Sequence, residues 1–250
     1  MTTFDLDTVD TLLSTTRAVR KRLDLERDVP DDVILECVRL SQQAPTGSNM
    51  QNWRWLIIRD AATRQGLADL YRAGGGEYLA AASAQATEGQ IGRVMSSATY
   101  LADRLQDVPT LVIPCVKGRL TSENSVADWS GMMGSIYPAI WSFQLALRSR
   151  GLGSALTTLH LNKEREAAEL LGIPDNVMQV ALLPVAYTLG TDFKPVAEST
   201  IMSRINFFKS STLSNFFCRS SSSCSLVYSG RNGLLTAAAT RFTSEVKTTP

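Results

Sequence analysis

The chain has 250 residues, of which 44% are hydrophobic and 20% charged, and a formal net charge of +1. This is the composition of an ordinary globular protein long enough to bury a sizeable core. Nothing global attracts it to nucleic acid or to an acidic membrane surface. The charge is unevenly spread: from Ser199 onward six Lys or Arg accompany one acidic residue, so residues 1–198 carry the acidic excess.

The opening Met1–Asp10 is acidic where a secretion signal needs a basic and then an apolar run. The most apolar stretches, Thr110–Val116 and Val180–Tyr187, are too short to span a bilayer. A cytoplasmic protein with no membrane partner is expected. Cys37 and Cys115 lie in apolar-patterned segments, the setting of reduced, buried thiols. Cys218 and Cys224 show no metal-ligand spacing. One histidine, His160, and no Cys-x-x-Cys pair leave little for a zinc site.

In chain order, Val9, Leu12, Leu13 and Thr16 have helical spacing and lead into the basic cluster Arg17–Arg22. Pro30 followed by Asp31 and Asp32 marks a helix start, with Val33, Ile34, Cys37, Val38 and Ser41 on one face and Pro45 as the stop. Trp53–Arg59 reads as a strand entering the core. Ala61–Tyr71 is helical, and Gly74-Gly75-Gly76 is expected to break it. Gly89–Leu105 reads as a helix with a thin apolar stripe, and Thr110–Val116 as a second strand. Ile136, Ile140, Phe143 and Leu147 define what reads as the longest helix, ending at Arg150-Gly151. A short strand over Ser154–Thr158 is followed by a helix over Lys163–Leu171, closed by Gly172. Val177–Leu189 reads as a central strand in which Pro184 argues for a bulge or an edge position.

Strands and helices mix without strict βαβ alternation, so an α+β fold is expected over residues 1–198. The remainder differs in kind. Of its 52 residues 19 are Ser or Thr, and no amphipathic period survives outside Ile205–Phe208. Residues 199–250 therefore read as a largely disordered tail. The abrupt change reads as an altered terminus or a shifted reading frame.

Among motifs, the phosphate loop of nucleotide hydrolases and the Gly-x-Ser-x-Gly elbow are both missing. Gly151-Leu-Gly153 lacks the third glycine of a dinucleotide fingerprint and follows a helix where a strand is required. His160, between two leucines, reads as structural rather than as a general base. Three features remain. Arg17 and Arg20, three apart, would share one face of a helix end or turn and could converge on a phosphate, or simply form a solvated basic helix end. The stretch Ala44-Pro-Thr-Gly-Ser-Asn-Met-Gln-Asn-Trp53 gathers amides and hydroxyls that could bind the imide edge of a flat heterocycle, or it is an ordinary loop. Gly151 and Gly153 could cap the helix or admit a flat ligand against the backbone.

Taken together and in this order, these motifs resemble the FMN-dependent nitroreductase family. Leu171-Gly-Ile-Pro174 and Val180–Gly190 extend the likeness, which covers about Leu12 to Pro195. The resemblance implies a mixed sheet flanked by helices and an intertwined homodimer with FMN at the subunit interface. It implies that Arg17 and Arg20, with Thr16 nearby, hold the FMN phosphate, and that Pro45, Thr46, Ser48, Asn49 and Gln51 contact the ribityl chain and ring. Gly151 and Gly153 precede a backbone NH to flavin N5, which falls near Thr158 or Leu159. Thr46 replaces the family's usual Ser, and Asn52 a Pro. Members carry a basic residue after the last core strand, then an arm that embraces the other subunit; here Lys194 is the near candidate for the basic residue, and the arm has no match. The implied activity is ping-pong hydride transfer from NADH or NADPH through the flavin to a small acceptor such as a nitroaromatic or quinone. Gly89–Leu105 and Trp129–Met133 are the expected cover of the site. A specialised relative, such as a dehalogenase or a flavin-consuming enzyme, and a flavin-binding or defective homologue without turnover are the alternatives.

Overall fold

The computed structural model describes residues 4–86 and 88–195, together with Ser225–Tyr228 and Leu235–Ala238. Two compact units divide the chain at Pro195 and Val196.

In the first unit, helix α1 (Leu6–Thr15) leads by an extended segment to α2 (Asp31–Ser41), which follows Pro30 and starts with two aspartates at the positive end of its dipole. Strand β1 (Trp53–Ile58) is followed by α3 (Ala61–Gln85), α4 (Gly89–Arg104), β2 (Thr110–Lys117) and α5 (Val126–Arg148). Then come β3 (Leu152–Ser154), α6 (Glu164–Leu171), β4 (Val177–Gln179) and β5 (Leu183–Tyr187). The sheet order is β1-β2-β5-β3, with β4 also on β2.

Alternation along β2 fixes the layers. Val112 and Val116 point into a core shared with α2 and α5, whereas Leu111, Ile113 and Cys115 point into a core shared with α3 and α4. Every named strand pair is antiparallel, and the one parallel pairing described is the bridge Gly118–Val177. The α+β class stands, with helices flanking a sheet whose named strand pairs are antiparallel among the described residues.

Four elements depart from the sequence reading. Helix α3 runs through Gly74-Gly75-Gly76 instead of ending there. The glycines admit the 3-10 turn Leu159–Lys163: a Cβ on Gly75 would lie 2.8 Å from the Cβ of Leu159, and Asn162 donates to the Gly74 carbonyl at 2.7 Å. At 25 residues α3 is also longer than α5, at 23. The strand expected at Ser154–Thr158 lies at Leu152–Ser154, because Thr157 leaves the ladder to bridge Leu182. The single strand expected over Val177–Leu189 is two. Cys115 faces Gln179 and Thr110 faces Val185, so one extra residue is accommodated between β4 and β5, as in a β-bulge. Pro184 sits just after that irregularity, opposite β2 and beyond the end of β3, where its missing N–H breaks no ladder bond to β3.

In the second unit, β6 (Ser225–Tyr228) and β7 (Leu235–Ala238) pair antiparallel. The sequence reading included no strands there. Its expectation of disorder over the rest of Ser199–Pro250, and of an element at Ile205–Phe208, lies outside the described residues. Among the described residues no helix is long and apolar enough to cross a membrane.

Candidate functional site

The predicted residues fall into two groups near opposite ends of α5. The first lies where the extended segment after α1 crosses β3. Thr16 ends α1 with extended backbone (φ −68°, ψ 129°), and Val19 N–H donates to the Ser154 carbonyl at 2.9 Å. Gly153 makes this crossing possible: a Cβ there would stand 2.9 Å from the Cβ of Val19 and 2.7 Å from a Thr188 methyl. Gly151 has φ +75° just past α5 and terminates the helix. Both glycines thus serve the fold directly.

Because the segment is extended, Arg17 and Arg20 do not share the face of a helix end. Exposed Arg17 lines a narrow cleft with Thr16, Gln144, Arg148, Gly153 and Phe193, and among the described residues no carboxylate lines it. Half-buried Arg20 is instead set toward Tyr71; burial raises that phenol's pKa, and the charge of Arg20 acts against the rise. Lys194 is exposed and follows Phe193.

The second group is the loop before β1. Thr46, Ser48 and Gln51 line a cavity of about 380 Å³ against the first half of α5, with Lys117, Asn124 and Met132. Ser48, Asn49 and Gln51 all have positive φ (53°, 53° and 46°), a left-handed backbone that costs a non-glycine residue roughly 1–2 kcal/mol. Asn49 is the residue type that tolerates it best. The strain is held by Ser135 of α5. Its hydroxyl accepts from Gly47 N–H at 2.9 Å and donates to the Gly131 carbonyl at 2.7 Å, while its carbonyl accepts from the Trp53 indole at 3.0 Å. The loop's own polar groups are weakly engaged: Gln51 N–H and Nε2 reach the Thr46 hydroxyl and the Asn49 amide oxygen only at 3.4 Å. An exposed, strained, hydrogen-bonding loop is the kind of backbone that ligand sites retain.

Thr158 is exposed and starts the turn whose Leu159 packs on α3. The next residue, His160, is fully buried, and neither ring nitrogen has a partner among the described residues. Burial lowers its pKa to about 4, against a weaker opposing effect of Glu164, so it is a neutral core group at neutral pH. Cys37 and Cys115 are buried free thiols, pushed by burial to about 11 and about 12. No cluster of three metal-ligating side chains occurs among the described residues.

One chain does not bring the two groups together. Ser135 borders the loop and Gln144 the cleft, nine residues apart, or about 13.5 Å along the helix. Meanwhile apolar side chains stand in solvent along both α1 and α5. Leu6 and Leu13 are exposed on the first, and Val126 (86%), Trp129, Tyr137 and Trp141 on the second. Ser135, Gln144, Arg148 and Phe193 were not among the residues predicted for the site. The visible signal was a polar side chain interrupting an apolar helical stripe, as at Ser135 and Gln144.

An antiparallel sheet between two helical layers, with a strained amide loop and a cleft lined by Arg17, defines an α+β protein with two candidate sites. The Nitroreductase family pattern matches residues 13–187, and the chain belongs to that family. It is 26% identical over 192 residues to an NADH dehydrogenase of Thermus thermophilus, covering 70% of this chain and 87% of that protein. It is 24% identical over 181 residues to a putative NADH dehydrogenase/NAD(P)H nitroreductase of Archaeoglobus fulgidus, covering 70% and 83%. Among solved structures, iodotyrosine deiodinase bound to FMN and 3-iodo-L-tyrosine superposes with a TM-score of 0.58 at 20% identity, covering 76% of this chain and 93% of that one.

Proposed function

We propose that the protein is an FMN-dependent oxidoreductase that takes hydride from NADH or NADPH and passes it to a small oxidised acceptor, such as a nitroaromatic or a quinone. The observation that carries this reading is the loop at Ser48–Gln51, where three residues have left-handed backbone and two of them, Ser48 and Gln51, line a cavity with polar side chains only weakly engaged in the fold. That donor and acceptor set suits the imide edge of a flavin ring. The cleft at Arg17, free of carboxylates, suits its phosphate. The chemistry present therefore fits FMN, which when bound supplies the capacity to accept and release hydride.

The protein's part is to bind, orient and shield. Arg17, with Thr16 beside it, supplies positive charge for the phosphate, while Arg20, near Tyr71, and Lys194, at the end of the unit, add to the local positive charge without lining the cleft. Pro45 and Thr46 shape the loop entry, and Ser48, Asn49 and Gln51 fix the ring edge. Gly151 and Gly153 set the crossing of segments beside the phosphate, and Thr158 and Leu159 offer backbone to the ring. Helix α4 and Trp129–Met133 cover the nicotinamide and acceptor, which occupy one place in turn. No acid–base pair is required, in keeping with a neutral, buried His160.

The two groups, set apart along α5 by about 13.5 Å of helix rise between Ser135 and Gln144, come together in a homodimer, where the loop of one copy meets the arginine cleft of the other. The exposed apolar faces of α1 and α5 are the surfaces such a dimer would cover. Relatives named as NADH dehydrogenases support the choice of donor. Steady-state kinetics test the reading: varying nicotinamide at several acceptor concentrations should give parallel double-reciprocal lines, because the two substrates share one place. Intersecting lines, or no turnover with any quinone or nitroaromatic, would overturn it.

A further inference from the structure

Strand β2 delivers one cation to the cavity beside the loop, its last residue Lys117. The backbone there is clamped on both sides. Lys117 N–H donates to the Asn52 carbonyl at 2.8 Å, the residue faces Val177 of β4, and Gly118 N–H donates to the Asn176 carbonyl at 2.8 Å. The strand end also abuts α5, since a Cβ on Gly118 would lie 3.4 Å from the Met132 methyl. Lys117 is exposed, and its ammonium makes no hydrogen bond and no ion pair with another described residue. Among the described residues one carboxylate lines the cavity, that of Asp128, and it is committed to its own helix. It accepts from the Ser125 hydroxyl at 2.7 Å and the Ser125 N–H at 2.9 Å, closing the capping box at the start of α5. The walls near Lys117 are otherwise apolar, formed by Val116, Leu120, Ala127 and Met132. A benzene ring occupies a cavity of roughly 150 Å³, so about 380 Å³ has room for a one-ring molecule beyond the edge of a flavin held by the loop.

We infer that Lys117 makes this cavity select acceptors that carry an anionic group, namely a carboxylate on a single aromatic ring. This rests on the oxidoreductase reading above and names its substrate class. The ring lies against Leu120, Ala127 and Met132, and its carboxylate meets the ammonium at the edge of the cavity. Because Lys117 has no partner to give up, the charge-assisted bond adds attraction without first breaking an ion pair. Solvent screens an exposed ammonium, so the gain is about five-fold rather than a hundred-fold. A compact charge on a flexible four-carbon stem follows the carboxylate to more than one position on the ring. A neutral acceptor of the same size lacks this contact.

The test compares 4-nitrobenzoate with 4-nitrobenzamide as acceptors for the FMN-loaded, full-length chain, with Lys117→Met, Lys117→Arg and Asp128→Asn. The readout is the ratio of kcat/KM for the anion over that for the amide. Each variant is set against wild type, so the intrinsic reducibility of the two compounds cancels. Lys117→Met should lower the ratio about five-fold. Lys117→Arg should keep the greater part of it, and Asp128→Asn should raise it by removing an opposing charge. A ratio unchanged in Lys117→Met, with turnover intact, overturns the inference and leaves the oxidoreductase reading standing. A changed preference between NADPH and NADH with an unchanged acceptor ratio also overturns it, because the lysine would then serve a phosphate of the donor. A second readout needs no turnover: benzoate binding to the full-length chain should weaken with ionic strength in wild type and far less in Lys117→Met. If neither acceptor is turned over but this difference appears, the anion site holds and the oxidoreductase reading fails. Benzoate that binds both proteins alike overturns the site.

Discussion

The three consecutive glycines of α3 make opposite predictions within three residues. Gly76 has open space around its Cβ position, with nothing within 4 Å. A helix-interior Gly→Ala change gains about 1 kcal/mol in propensity, so Gly76→Ala should stabilise the protein by about that amount. For a domain of this size that is a rise of about 2–4 °C in melting temperature. Gly74→Ala has the same propensity gain, but its new methyl would collide with the Leu159 backbone carbonyl and come within 3.3 Å of the Asn162 Cβ. A backbone atom cannot rotate aside, and overpacking of this kind costs about 1–3 kcal/mol. The net result should be a loss, with displacement of the turn that begins at Leu159. Thermal unfolding of both variants checks the magnitudes, and the visible spectrum of bound flavin reports the displaced turn. A Gly74→Ala protein as stable as Gly76→Ala, with an unchanged flavin spectrum, would show that α3 and this turn are not in the contact that explains the uninterrupted helix.

Three other perturbations separate binding from folding. Asn49→Ala and Asn49→Gly both remove the amide, but only alanine also strains the left-handed backbone. Both should shift the flavin's spectrum and reduction potential alike, with alanine alone losing roughly 1–2 kcal/mol of stability; unchanged flavin properties in both would make the loop structural. His160 is depressed from 6.5 to about 4, so the unfolded state takes up its proton first. The associated stability is intact above pH 6.5 and is lost as pH falls toward 4, by about 3 kcal/mol. His160→Leu should flatten the melting-temperature profile over that window, and an unaltered acid limb would refute the assignment. Arg119 holds Glu164 with two bonds of 3.0 Å, and the carboxylate stays below its usual range although burial opposes this. Arg119→Met should cost about 2–4 kcal/mol in chemical denaturation by stranding that carboxylate. Arg119→Met combined with Glu164→Gln should recover part of it, and equal losses in the two proteins would show that Glu164 is not the reason.

The order of elements was legible where one local rule dominated. A continuous apolar run marked β2, Pro30 with two aspartates marked α2, and Gly172 closed α6. The reading failed where a distant segment decided the outcome. Three consecutive glycines look like a break until the turn from Leu159 is laid against them, and nothing local to Ala61–Gln85 announces that contact. Likewise the spacing of Arg17 and Arg20 implies convergence only on a helix, whereas the chain is extended there because Val19 docks on Ser154. The loop at Pro45–Gln51 could be found by composition, but its left-handed strain and its anchoring by Ser135 belong to tertiary structure.

On the function proposed above, this chain holds FMN and lets a nicotinamide reduce it. The most direct measurement is an anaerobic titration of the FMN-loaded, full-length protein with NADH and, separately, NADPH, followed by visible absorbance. One of the two should bleach the bound flavin with a stoichiometry near one per site, and a quinone or nitroaromatic should then restore the colour. A protein that takes up no FMN, or whose yellow colour neither nicotinamide can bleach, would contradict it.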